Sequence, residues 1–186
     1  MFAYCGNNPV SRGDESGFGW RDFWEGVRDW LTEKKEEAAE NEDGAETIGL
    51  TINGAFGMAG SASLGFTFDA KGNIGLAGTI NGGGGFPSAG IGGFITYSNA
   101  PNIYKQSGLG STVGASGGPW VVAGGVEGCF MFDTEEGKTY TGITASATVG
   151  LYPTVVEVHG EVGYTEVVGF NVFDPLISIA NWILGD

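Results

Sequence analysis

The chain has 186 residues, 41% of them apolar, and a formal net charge of −14. That length suits one domain with a core plus an appendage. So large a surplus of acid excludes nucleic acid and anionic membrane surfaces as electrostatic partners.

The N-terminus reads Phe2-Ala3-Tyr4-Cys5-Gly6-Asn7-Asn8-Pro9-Val10, then Ser11-Arg12-Gly13-Asp14-Glu15-Ser16-Gly17-Phe18. On any chain, Asn7-Asn8-Pro9 and Gly13-Asp14 are turn-forming residues. The stretch also resembles the end of the core region of Rhs (YD-repeat) proteins, a boundary between a large shell and a variable C-terminal payload. The resemblance covers about a tenth of the chain. It implies an exported or cell-surface bacterial parent, with the missing shell as one partner. A target membrane and an immunity protein are the others it suggests. Pro9, Asp14 and Gly17 match the family's processing pattern, whereas Glu15 stands where that pattern has proline and Phe18 where it has leucine. The family's cutting aspartates lie in the shell, so this chain is not expected to cut itself. No basic region followed by an apolar run is present, so no signal peptide is expected.

Residues 18–43 predict a helix. Trp20, Phe23, Trp24, Val27, Trp30 and Leu31 recur at helical spacing and form one apolar stripe. Asp14 or Ser16 is suited to cap its start and Gly44 to end it. The opposite face is strongly acidic. An interfacial membrane helix would carry Lys and Arg there, so the stripe is expected to pack on protein.

The next stretch, 48–169, holds 29 of the 36 glycines. They alternate with bulky apolar residues, as in Ile48-Gly49-Leu50-Thr51-Ile52, and period two marks a strand. Eight strand segments are predicted: 48–56, 61–68, 73–80, 89–97, 110–115, 120–132, 138–151 and 154–168. Short turns such as Asp69-Ala70-Lys71-Gly72 join them, and no connection is long enough for a crossover helix. The expected fold is mainly β: an antiparallel meander of about eight strands, closed into a barrel, with the helix before it and a short apolar helix after it. One face carries Ile48, Leu50, Ile52, Leu64, Phe66 and Leu76; the other carries Gly49, Thr51, Asn53, Ser63 and Thr67. A barrel that fills its own lumen turns the bulky face inward. A membrane barrel turns it outward. Alternation alone does not choose.

Residues 174–184 predict the closing helix, with Asp174 as N-cap and Pro175 in the first turn. It has little polar face and is expected to pack against the first helix. The domain boundaries are then 1–18 for the Rhs-like loop, 19–47 for the acidic helix and linker, and 48–186 for the barrel with its helix.

Little in the chain points to catalysis. His159, the one histidine, is flanked on its strand face by Glu157 and Glu161. They are candidates for an acid–base pair or a metal site, but nothing completes a metal shell. The simpler reading is an exposed polar strand face. Cys129 reads as a buried small thiol. Cys5 and Cys129 lie too far apart in sequence to suggest a disulfide framework or a metal spacing. Gly82 to Gly85 lacks the lysine and helix of a phosphate loop and reads as a turn. No cofactor is implied. The functional expectation is therefore a non-enzymatic payload: a membrane-active, pore-forming barrel toxin domain. The alternative is a soluble barrel that serves as a binding or adhesion module of an exported Rhs-like protein.

Overall fold

The computed structural model describes residues 19–40, 44–118, 120–134, 136–152 and 156–185. Cys5 and the boundary motif, with Pro9, Asp14, Gly17 and Phe18, lie outside the described residues. The described chain divides into two compact units, a pair of helices and a barrel.

The helical unit holds α1 (Trp20–Ala39) and α2 (Phe173–Leu184). The backbone amide of Gly19 donates to Asp22 Oδ2 at 3.1 Å, which satisfies one free donor of the first turn. Trp24 packs edge-on against both Trp20 and Phe23, with ring centroids 5.5 Å apart in each pair. Leu31 is the buried residue of the stripe. The two helices pack on each other as the sequence predicts, and Lys35 Nζ pairs with Asp174 Oδ1 at 2.5 Å. Asp174 is not the N-cap. Val172 holds that place, and Asp174 sits in the first turn, where its charge still opposes the helix dipole. Gly185, at φ 80°, ends α2 in the left-handed conformation that favours glycine. Glu40, not Gly44, is the C-cap of α1.

The barrel unit is built from β1 (Ala45–Asp69), β2 (Asn73–Ser98), β3 (Gly108–Gly117), β4 (Trp120–Asp133), β5 (Lys138–Tyr152) and β6 (Val156–Asn171). Each of β1 and β2 runs continuously through two of the predicted segments. They stay paired from Ala45↔Ser98 to Phe68↔Ile74, across glycine-rich stretches that bend without breaking the ladder. A register shift between Ala55 and Gly57 adds a bulge at the bend. The ribbon folds back on itself, so the halves of β1 meet. Thr67 Oγ1 donates to the carbonyl of Glu46 at 3.0 Å, and Thr51 Oγ1 reaches that of Ala62. Eight strand segments thus run antiparallel round a closed barrel.

The neighbours are not sequential throughout: the order is β1-β2-β5-β4-β3-β6, with β6 returning to β2. The length of β2 is the reason. Its C-terminal half pairs with β5. Its N-terminal half lies along β6, where Gly75 and Gly83 come so close that a Cβ on either would strike the β6 backbone.

The alternation resolves with the bulky face outward. Leu50, Ile52, Phe66, Ile80, Val126 and Val162 are all exposed. Thr47, Thr67, Ser98, Thr144 and Thr148 point inward and are buried. Of the two arrangements that alternation left open, this is the one with the bulky face outward, as in a membrane barrel, and the small polar face lining the interior. The apolar core is small and sits at one end, where Ala45, Ala77, Ile103 and Val167 cluster.

A 3₁₀ turn, Ile103–Gln106, plugs that end. Asp69 both shapes the β1–β2 hairpin and anchors the plug. Its Oδ1 accepts from the amides of Lys71 and Asn73, and its Oδ2 accepts from the amide of Ile103 at 2.9 Å. Lys105 Nζ reaches Asp133 Oδ2 and Glu136 Oε1, both at 2.7 Å. Those two carboxylates hold the Lys105 ammonium well above its usual range.

Candidate functional site

The barrel interior is a chamber of about 170 Å³ walled by side chains of every strand. Its floor is the plug. Gln106 Oε1 accepts from Thr47 Oγ1 at 3.2 Å and lies 3.1 Å from Thr67 Oγ1, whose single proton it shares with the carbonyl of Glu46. Gln106 Nε2 donates to Ser98 Oγ at 2.9 Å. Gln106 is buried, so its amide has exchanged water for these partners.

Above the floor the walls are tied together by hydroxyl pairs. Thr96 and Thr144 join β2 to β5 at 2.7 Å, and Cys129 Sγ joins the same Thr144 at 3.0 Å. Thr79 and Thr165 join β2 to β6 at 2.9 Å. Burial pushes the Cys129 thiol above its ordinary range. The bond to Thr144 pulls the other way, and the charge of Glu127 adds to the rise. A thiol held protonated is a poor nucleophile.

Three neighbouring strands concentrate the charged groups. On β3, Gly114 pairs with Glu127 of β4 on one side and His159 of β6 on the other. Gly114 has no side chain, and a Cβ there would fall 2.4 Å from Glu127 Cγ. The gap lets Glu127 and His159 meet across an intervening strand, Nε2 to Oε1 at 3.3 Å. Two residues along β3, Thr112 pairs with Cys129 and with Glu161. Glu161 Oε2 accepts from Ser61 Oγ at 2.6 Å, and Ser61 Oγ accepts from Asn81 Nδ2 at 3.1 Å.

The sequence candidates are thus partly brought together. His159 and Glu161 both line the chamber. The His159 side chain is only 11% exposed, so the expectation of an exposed strand face fails. The polar face of this barrel is its inside. Glu157 pairs with Ser116 in the ladder, and its side chain lies outside the described residues. The partner of His159 is Glu127 on another strand, a pairing that spacing along one strand could not reveal. Gln106, Thr112 and Gly114 carried no sequence signal of their own. Among the described residues, no group of three or more His, Cys, Asp or Glu side chains is placed to hold a metal ion.

Two polar atoms of the wall stand out. Asn53 Oδ1 and Thr112 Oγ1 are buried and have no hydrogen-bond partner among the described residues. Both residues line the chamber, but these two atoms are turned away from its free space. Such groups are rare in folded proteins, because each forfeits its bonds to water.

The geometry corrects the expectation of a pore-forming payload. An eight-segment barrel has an interior just wide enough for side chains to fill. Here wall side chains bond to one another and to the plug, which closes one end. A conducting lumen needs both ends open. No helix of the described chain is long and apolar enough to cross a membrane, which says nothing of a barrel that would cross with strands. No family model and no curated protein matches the chain. The comparisons thus supply no signature for the labels of Rhs repeat, polymorphic toxin or membrane-active domain, and the barrel fold is what is supported.

Proposed function

We propose that the barrel is a binding module whose interior chamber takes a small polar ligand. The observation that carries this reading is the chamber itself, about 170 Å³ and lined by Ser and Thr hydroxyls together with Glu127, His159 and Glu161. A small polar ligand finds both donors and acceptors on such walls. Size supports the reading. The chamber is smaller than the ~300–1,000 Å³ typical of sites for drug-sized molecules, and close to the ~150 Å³ that accepts a benzene-sized guest. The chemistry supports binding over turnover. The one described thiol, Cys129, is held protonated and is a poor nucleophile.

Thermal denaturation against a library of small polar compounds tests this. A ligand should raise the melting temperature of the wild type. Ser63→Phe, which fills the chamber, should abolish that rise. A library without any hit, or a hit that Ser63→Phe binds equally while folded, would overturn the reading.

The resemblance at residues 2–18 supports a further proposal about context: the module sits at the C-terminal end of an exported Rhs-like chain, beside that chain's shell. The binding argument does not use it.

A further inference from the structure

We infer that the outer face of the barrel is covered by the hydrocarbon of a zwitterionic lipid bilayer, in which the plugged barrel sits as a closed, non-conducting body. What covers the outside is separate from whether the inside conducts, and the chamber reading does not depend on it. Leu50 of β1, Ile91 of β2, Val113 of β3, Val126 of β4, Val149 of β5 and Val162 of β6 are all exposed. Every strand contributes, so the apolar face runs all the way round. Among the described residues, the exposed charged side chains of the strands are Lys138, at the first position of β5, and Glu166, near the end of β6. Both lie toward the plug end, where Lys105 pairs with Asp133 and Glu136. At the same end the exposed aromatic rings of Phe68, Tyr97, Phe132 and Phe170 stand on the last residues of their strands. An uncharged band, then aromatic rings, then charges is the order in which a membrane barrel meets hydrocarbon, interface and water.

The height of the band is the second observation. Outward apolar positions run from Ile48 to Phe56 on β1 and from Ile143 to Leu151 on β5. Each stretch is close to the ~9–11 residues with which a tilted strand crosses a bilayer. At ~3.3 Å per residue and a tilt of ~40° it rises roughly 23 Å, against the ~25 Å band of membrane barrels. A protein partner does not fit this face. It covers about 800 Å² on one side and would leave the rest of the circumference in water, whereas a fluid covers every side at once. The return of β6 to β2 leaves no open strand edge, as hydrocarbon requires. The net charge of −14 disfavours anionic headgroups, which selects zwitterionic lipid.

Flotation tests the inference. The full chain is diluted from detergent micelles into phosphatidylcholine vesicles and spun through a density gradient. Wild type should float with the vesicles and keep a strand-dominated circular-dichroism spectrum. Ile143→Arg, a charge in the middle of the band, should lower the floated fraction's partition constant roughly 30-fold or more. A label tests depth without adding charge. In a Cys5→Ser, Cys129→Ser background, a fluorophore on Val149→Cys should be quenched by lipids brominated in their chains. The same fluorophore on Ala70→Cys, in the β1–β2 turn, should be quenched far less. A wild type that stays off the vesicles, as a monomer or as an aggregate, overturns the inference. A discrete oligomer in water that ignores vesicles does so too, and shows that copies of the chain cover the face. Equal quenching of the two labels means adsorption at the surface, and the inference falls. It also falls if Ile143→Arg floats like wild type with its strand spectrum intact. If that variant loses the spectrum, the two labels decide.

Discussion

Glu127 and His159 stand on strands that are not neighbours, and they meet across β3 because residue 114 is glycine. The contact is a product of register. A slip by one residue in either ladder would turn one of the two outward. Glycine here creates space for a polar contact in the interior.

Gly114→Ala should therefore destabilise the barrel. The added Cβ would fall 2.4 Å from Glu127 Cγ and 2.8 Å from the carbonyl of Val126. Overpacking of this kind costs about 1–3 kcal/mol. Gly82→Ala is the control, because a Cβ there meets nothing within 4 Å. It should stay within ~0.5 kcal/mol of wild type. Chemical denaturation of the two variants measures the difference, and equal midpoints would refute the steric account.

His159→Ala should also be costly. It leaves Glu127 in the chamber wall without the imidazole that faces it. Glu127 keeps some exposure, so the loss should be about 1 kcal/mol, the low end for a partner left unsatisfied. A surface histidine would change stability by less than ~0.5 kcal/mol. His159→Gln, which keeps a donor, should recover part of the loss. Denaturation midpoints that do not move in either variant would return His159 to the surface.

The fold was legible because the period-two pattern is long and the turns are short. Ile48 to Phe68 alternates almost without interruption, which led to strands and closure. The join of two predicted segments into β1 was not legible. Gly57 and Gly60 look like turn residues, yet the ladder to β2 runs on past them. Which face points inward was also hidden, since alternation is symmetric under inversion. Of the site, His159 and Glu161 could be named from one strand. Glu127 as the partner could not, because that contact depends on the register of three strands at once.

The plug makes its own prediction. Gln106 bridges Thr47, Thr67 and Ser98, so Gln106→Ala removes several bonds from buried groups. The cost should be about 1–3 kcal/mol, larger if the hydroxyls find no new partners. Hydrogen exchange should quicken first at residues 103–106 and at the adjoining end of β1. Uniform acceleration over the whole barrel would mean that the plug has no separate identity.

Cys129 gives a dependence on pH. Its folded-state pKa is raised above the ordinary value of 9.0. The folded state therefore holds this proton to higher pH than the unfolded state does. The contribution to stability is complete below about pH 9 and is lost as pH rises through the folded value. In Cys5→Ser protein, which leaves one thiol, a thiol reagent at pH 8 should react slowly until denaturant is added. The melting temperature should also fall more between pH 8 and pH 10 than that of the Cys5→Ser, Cys129→Ser double variant. Fast labelling of the folded protein would place the thiol outside the chamber wall.

The last prediction concerns conduction. A pore needs a continuous aqueous path, and this barrel interrupts it. The 103–106 turn closes one end, held by Asp69 at Ile103 and by Gln106 among three hydroxyls. Ser61 of β1 and Glu161 of β6 also meet inside the barrel and narrow the remaining space. Wild-type protein added to dye-loaded liposomes should therefore release no dye, with anionic or neutral lipid alike. Removing the plug contact with Gln106→Ala should not create release either, since the side chains above it remain. Dye release by the wild type that is blocked by Ser63→Phe would show a path through the interior, and would return the pore to consideration.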